Sequence, residues 1–294
     1  MTAAATTETG ARPVRAGRRP SIPGIPGIPS WLGTVPFLAY VAVFLLWPTG
    51  IVVVDSLKNP TGAWAFSNIT QLGSPLVRGY FIGSFKLSLL SAVAGAVLGA
   101  ILAYAIATGN PDGVVRRLYL AASGVLAQFG GVTLAFAFLV TIGPVGLLFH
   151  ASWYYDFPWG IGLIYTYFQI PLMVLVFLPA IDGLKVQWRE ASENLGASAW
   201  QYWRYVGGPL LMPAFLGAVL LLFANALSSF ATIIAWENQI AYIVPQQIST
   251  ALSSEVGLSN VNVADLLALG MVVMVAIVMT GYALLQRRAA RWLR

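Results

Sequence analysis

The sequence has no cysteine, a single histidine and very little charge: Asp, Glu, Lys and Arg together make up 9% of its 294 residues, against about 25% in an ordinary soluble domain. Without cysteine there is no disulfide framework, thiolate metal site or thiol nucleophile. His150 by itself cannot build a multi-histidine metal centre, and its aromatic neighbours mark it as an interfacial side chain. No nucleophile triad, phosphate-cradling glycine loop or pair of carboxylates stands at a productive spacing, so the chain is expected to catalyse nothing by itself.

What remains is apolar. Hydrophobic residues account for 58% of the chain, in runs long enough to cross a bilayer, which takes about 20 residues per helix. Six runs qualify, at about residues 31–54, 81–107, 118–142, 160–181, 209–235 and 265–285. The fold class expected is an all-α membrane protein. Residues 1–30 lie outside this pattern. Arg12, Arg15, Arg18 and Arg19 precede the near-repeat Ile22-Pro23-Gly24-Ile25-Pro26-Gly27-Ile28-Pro29, which no regular helix accommodates. They form a flexible basic tail, and residues 31–294 a single membrane domain.

The net charge of +6 is not gathered into one aromatic-interleaved patch, so nucleic acid is not an expected partner. It sorts instead by side of the membrane. With both termini in the cytoplasm, that side receives the four tail arginines, Arg116, Arg117, Lys185, Arg189, Arg204, Arg287, Arg288, Arg291 and Arg294. Only Lys58, Arg78 and Lys86 are left at or near the other side. The expected location is therefore the cell membrane, crossed several times.

Within the runs, Gly95 and Gly99 have the spacing for close approach of two helices, and packing inside one bundle is the preferred use over a dimer seam. Gln128, Gly130, Gly131 and Thr133 form a polar patch in the third run that is expected to face the bundle interior, with Gln128 a candidate for the solute path. In the fifth run Asn225, Ser228, Ser229 and Thr232 fall near one helical face, followed by Glu237. They would either line a solute path or hydrogen-bond between helices, and the sequence leaves both open. Asp182, at the end of the fourth run, is expected to be solvated.

The most informative stretch is the polar island between the fourth and fifth runs. Trp188, Ala191, Ser192, Leu195 and Ala199 recur at helical spacing, with Arg189, Glu190, Glu193 and Asn194 on the remaining surface, which predicts a short amphipathic helix. Gly196 either ends that helix or admits another backbone, and Ala197 and Ser198 keep the turn unobstructed. A second helix with interfacial aromatics, Trp200 to Tyr205, then leads to a break at Gly207-Gly208-Pro209.

At these residues the chain resembles the permease subunits of ATP-binding cassette importers, whose cytoplasmic loop carries Glu-Ala-Ala, a glycine six residues after the glutamate, an apolar residue and Leu-Pro. Glu190, Ala191 and Gly196 match. Ser192 replaces the second alanine, Val206 stands for the usual isoleucine, and Gly208-Pro209 replaces Leu-Pro. The resemblance extends over residues 31–294 and is strongest to permeases of the spermidine/putrescine, ferric-iron and phosphonate type. It implies a type I importer permease bundle with a cytoplasmic coupling helix, in which Arg189, Glu190, Ala191, Ser192, Glu193, Leu195, Gly196, Ala197 and Ser198 meet an ATPase. It also implies a second permease subunit, two ATPase subunits that bind ATP and Mg, and an extracytoplasmic solute-binding protein. On the outer side Asp55, Asp156, Glu237, Glu255 and Asp265 outnumber the cations, so the solute expected is a cation such as a polyamine. The competing classes are an ion-coupled secondary transporter, which would call for internal repeats or charges deep in the spans, and a membrane scaffold without transport.

Overall fold

A computed structural model describes residues 33–58, 62–65, 68–110, 112–144, 146–236, 243–253 and 259–291. The basic tail, Glu237 and Glu255 lie outside the described residues. Two compact units divide the chain, residues 1–49 and 50–294. In the first, the described residues begin the apolar helix α1, Val35–Asp55. It carries a π-turn over Ala42–Leu46. Pro48 follows two residues later, where its ring crowds the carbonyl of residue 44 and its missing N–H removes a bond, and the wider turn relieves both defects.

The second unit contains α2 (Asn68–Leu72), α3 (Pro75–Ala107), α4 (Val114–Leu126), α5 (Gly131–Ile142), α6 (Trp159–Asp182), α7 (Val186–Asn194), α8 (Ala199–Ser228), α9 (Ala231–Ala235), α10 (Val244–Ser253) and α11 (Ser259–Arg291). Helices α3, α6, α8 and α11 are long and apolar enough to cross a membrane, as is α1. Helix α3 starts earlier than its apolar run because Ser74 caps it, accepting from the Val77 amide at 3.4 Å, with Pro75 in the first turn.

Helices α3 and α6 form the centre of the bundle, running parallel. A Cβ on Gly95 would lie 2.6 Å from the Gln169 Cβ, and one on Gly99 would lie 2.5 Å from the Met173 Cβ. The Gly95–Gly99 face is therefore spent inside the bundle, as expected. Lipid tails are as apolar as these side chains, so van der Waals contact at such close approach, rather than water exclusion, holds the pair. Around it lie two groups of buried side chains. One, with Met173, Val174, Phe177, Leu222 and Phe223, fills the end near Asp182. The other, with Tyr154, Ile161, Ile164, Tyr165 and Trp236, fills the end near Trp159.

Four expectations need correction. The third crossing is not one helix: α4 and α5 meet at an angle of 103°. Gly131 opens α5 at a φ of +70°, which a side chain resists, and this glycine pair lets the chain turn sharply within the apolar layer. The polar patch there does not face inward as a unit, since Gln128 and Thr133 are exposed and only Gly130 and Gly131 are half-buried. The fifth crossing does not run unbroken to residue 235 but stops at Ser228 and resumes as α9. Gly207-Gly208-Pro209, by contrast, is no break: α8 is continuous from Ala199, and a π-turn over Trp203–Gly207 absorbs Pro209 as the one in α1 absorbs Pro48. The turn before α4 forms as expected, with the Asp112 amide donating to the Asn110 side chain at 3.0 Å.

Candidate functional site

The polar island folds into an elbow of two helices, α7 and the start of α8. No residue of α7 is buried. Its expected apolar face is left largely open by the described residues: Trp188 is 38% and Leu195 88% exposed, and Trp200 and Tyr205, on the following helix, are 71% and 69% exposed. Arg189 and Glu193 pair one turn apart at 2.9 Å, both more than half exposed, so solvent leaves the pair little net effect on stability. That hydrogen bond moves the Arg189 guanidinium above its ordinary range and keeps it charged. Ser192 turns its hydroxyl back onto the Arg189 carbonyl at 2.7 Å, and Glu190 is exposed.

The bend is held by backbone bonds. The Gly196 amide donates to the Glu193 carbonyl at 2.9 Å and the Ala197 amide to the Ser192 carbonyl at 3.0 Å, the paired bonds of a Schellman motif. Gly196 has a φ of +79°, and nothing lies within 4 Å of where a Cβ would be. Of the two roles open to Gly196, ending the helix is the one this geometry requires. Ser198 then starts α8 with a capping box: its hydroxyl accepts from the Gln201 amide at 3.3 Å, and the Gln201 side chain accepts from the Ser198 amide at 2.7 Å. The Ser198 to Gln201 spacing is the signal for this box, and the sequence reading missed it. Two motifs back to back leave the elbow few ways to bend.

The elbow is anchored to the bundle at both ends. On one side Asp182, just before α7, is exposed yet ion-paired with Arg116 at the start of α4. On the other, Tyr202 is buried, and Trp203 stacks edge-on against Tyr104 near the end of α3.

The polar residues of the fifth crossing split. At the gap between α8 and α9, Ser229 and Thr232 place their hydroxyl oxygens 3.4 Å apart, Thr232 accepts from the Gly131 amide at 3.1 Å, and Tyr165 of α6 donates to the Ser229 carbonyl. This cluster ties the two interrupted crossings to α6, so Ser229 and Thr232 serve as bonds between helices. Ser228 is exposed and bonds back to the Asn225 carbonyl at 3.1 Å, while Asn225 is half-buried. Ser228 also lines an open groove of about 570 Å³ with Phe230, Pro245, Ser249 and Met271. Gln128 is not part of this cluster, and Glu237 lies outside the described residues.

Two further polar contacts stitch the helices. Gln169, fully buried in α6, donates to the Ser91 hydroxyl at 3.0 Å, and its carbonyl oxygen has no partner among the described residues. A lone glutamine in an apolar run is the signal that marks it. Ser84 accepts from the Val244 amide at 2.9 Å and so ties α10 to α3. The aromatic segment before α6 is more than an interfacial belt, because Tyr154 is buried, donates to the Ala135 carbonyl at 3.3 Å and accepts at its own carbonyl from the Trp236 indole at 3.1 Å. Burial, with Tyr155 alongside, pushes the Tyr154 phenol up to about 12. Among the described residues no three His, Asp or Glu side chains come together as metal ligands.

No family model matches the sequence. Homologues of the chain are permease subunits of ATP-binding cassette importers. It is 26% identical over 226 residues to the sulfate transport system permease protein CysT of Escherichia coli, covering 70% of this chain and 76% of that protein. It is 28% identical over 116 residues to the molybdenum transport system permease protein ModB of Haemophilus influenzae, covering 37% of this chain and 51% of that protein. Among solved structures, a chain of a bacterial ABC transporter involved in alginate import superposes with a TM-score of 0.69 at 17% identity, over 88% of this chain and 94% of that one. A chain of the inward-facing MetNI methionine ABC transporter gives a TM-score of 0.55 at 16% identity, over 73% of this chain and 95% of that one. The fold is that of a multi-pass importer permease.

Proposed function

We propose that this chain, a homologue of ATP-binding cassette importer permeases, is the subunit through which a small solute passes into the cytoplasm, and that the α7–α8 elbow is its joint to an ATPase. The elbow carries the reading. An exposed helix with unmatched apolar side chains, closed by a Schellman motif and a capping box, is a rigid projection suited to a complementary groove. In this reading the tail, the Arg116–Asp182 end of the bundle and the elbow are cytoplasmic. A second permease subunit completes the path, two partner subunits bind ATP and Mg and carry out hydrolysis, and an extracytoplasmic binding protein delivers the solute. This chain contributes the lever. Helix α8 runs unbroken from the elbow to Ser228, so a displacement at Ser198 travels along it to the gap held by Tyr165, Ser229, Thr232 and Gly131, where two interrupted helices can rearrange.

For the solute, the charge argument for a polyamine weakens, because Asp55 is paired with Lys58 at 3.1 Å. No relative compared above is named for a polyamine. The names sulfate and molybdenum favour an inorganic oxyanion as the first solute to test. Ion-coupled secondary transport is not favoured, since the homologues belong to importers powered by a separate ATPase.

Affinity-tagged chain isolated from its native membrane should bring down an ATP-binding cassette subunit identifiable by mass spectrometry. Repeated isolation without any such subunit overturns the assignment. With the complex in vesicles, Gly196→Trp should assemble in the membrane but lose solute-stimulated ATP hydrolysis, and normal stimulation would exclude the elbow as the joint. Uptake of labelled sulfate and molybdate compared with spermidine decides the solute class.

A further inference from the structure

On the outer surface of the α3–α6 pair a groove of about 800 Å³ begins at Lys86 and Trp159 and continues between apolar walls that include Leu89, Val93, Val97 and Leu98. Lys86 is exposed and makes no hydrogen bond or ion pair among the described residues, and Trp159 is 63% exposed. A cation on the lipid-facing side of a crossing helix is costly unless it reaches the headgroups.

The depth of Lys86 follows from helix geometry. From Lys86 to the end of α3 at Ala107 the helix rises about 32 Å at about 1.5 Å per residue, close to the hydrocarbon thickness of about 30 Å. Ala107 lies near the Arg116–Asp182 surface, so Lys86 falls at the opposite boundary. Trp159, the first residue of α6, sits at that same level, where tryptophan concentrates in membrane proteins. From Lys86 to Leu98 the groove descends about 18 Å, which is roughly one leaflet.

We propose that this groove is a binding site for one anionic glycerophospholipid of the leaflet facing away from the Arg116–Arg117 turn. Its phosphate pairs with the Lys86 ammonium, its glycerol region lies against the Trp159 ring, and one acyl chain fills the channel along Leu89, Val93 and Val97. The single cation at the headgroup end selects for net negative charge, and the apolar walls, which offer no hydrogen-bonding group, accept hydrocarbon.

The test uses the complex in vesicles of phosphatidylcholine with a minor fraction of phosphatidylglycerol, either lipid carrying a photoactivatable group midway along one acyl chain. Adducts are mapped by peptide mass spectrometry. Labelling of α3 by phosphatidylglycerol should exceed labelling by phosphatidylcholine about five-fold, the factor corresponding to about 1 kcal/mol for a cation beside an anionic headgroup. Lys86→Gln should abolish that preference, Lys86→Arg should keep it, and Ala94→Phe should lower labelling by both lipids. Equal labelling by the two lipids, or a preference unchanged in Lys86→Gln, overturns the proposal. Because the chain has no cysteine, Val93→Cys carrying a photocrosslinker reports the groove alone. Capture of another subunit there, in place of lipid, would show that the groove is a protein interface and would also overturn it.

Discussion

The side-chain hydroxyl of Thr232 accepts the backbone amide of Gly131 at 3.1 Å, although the two residues are separated by 101 positions in the chain. The bond joins the bend in the third crossing to the gap in the fifth. Thr232→Val keeps the shape and removes the acceptor, leaving an amide at a half-buried position without its partner, at a cost of about 1–2 kcal/mol. Faster hydrogen exchange at Gly131 and a lower unfolding temperature in detergent are the expected results, with Thr232→Ser close to the parent. Unchanged exchange in the valine variant would mean that the bend is held by packing alone.

Gly196 has a left-handed backbone with open space around it. Gly196→Ala should therefore cost about 1–2 kcal/mol through conformation alone, and Gly196→Asn less, because asparagine tolerates that region. Exchange protection of the amides of Gly196 and Ala197 should fall in the order Gly, Asn, Ala. The outcome separates the requirement of the turn from any contact with a partner, which only a bulky substitution would disturb.

The capping box makes its own prediction. Ser198→Ala removes the acceptor for the Gln201 amide and should cost about 1 kcal/mol, seen as faster exchange in the first turn of α8 and easier proteolysis at the elbow. Ser198→Asp, which can still cap, should restore protection.

Gly99 has no room for a side chain. A Cβ there would lie 2.5 Å from the Met173 Cβ and 2.7 Å from the Ile170 carbonyl oxygen, atoms that no rotamer change can move away. Gly99→Val should separate α3 from α6 and cost about 1–3 kcal/mol or more, read as low yield and early thermal unfolding. Gly124→Val, at a glycine in α4 with open space around it, is the control and should differ from the parent only by helix propensity.

Much of the fold was legible because a bilayer imposes one simple rule: about 20 apolar residues make a crossing, and charge marks the ends. That rule located α6 at both ends, the far end of α3 and the apolar stretch of α11 to within a few residues, and the small-residue face of α3 from Gly95 and Gly99, but it missed the start of α8 at Ala199 and its stop at Ser228. It failed where composition stays apolar while the backbone does something irregular. Residues 127–130 look like helix by hydropathy, but Gly130 and Gly131 permit a bend that the bonded partner, Thr232, makes worthwhile. Gly207-Gly208-Pro209 looks like a stop, yet a π-turn carries the helix through, because the strain of one proline is smaller than the loss of a continuous helix. At the elbow, residue types and spacing gave helix, turn and helix, but not the reason that Gly196 is glycine, since a positive φ is not written in composition.

The sequence by itself determined that this is a multi-pass helical membrane protein with a polar helix–turn–helix between its fourth and fifth crossings, because hydropathy, charge and capping act locally along the chain. Only the tertiary structure decided which polar residues are bonds between helices, which glycines are pressed against a neighbour, and where Lys86 stands relative to Trp159. Those depend on which segments meet, and residues far apart in sequence are brought together by the packing of whole helices rather than by any property of their own neighbours in the chain.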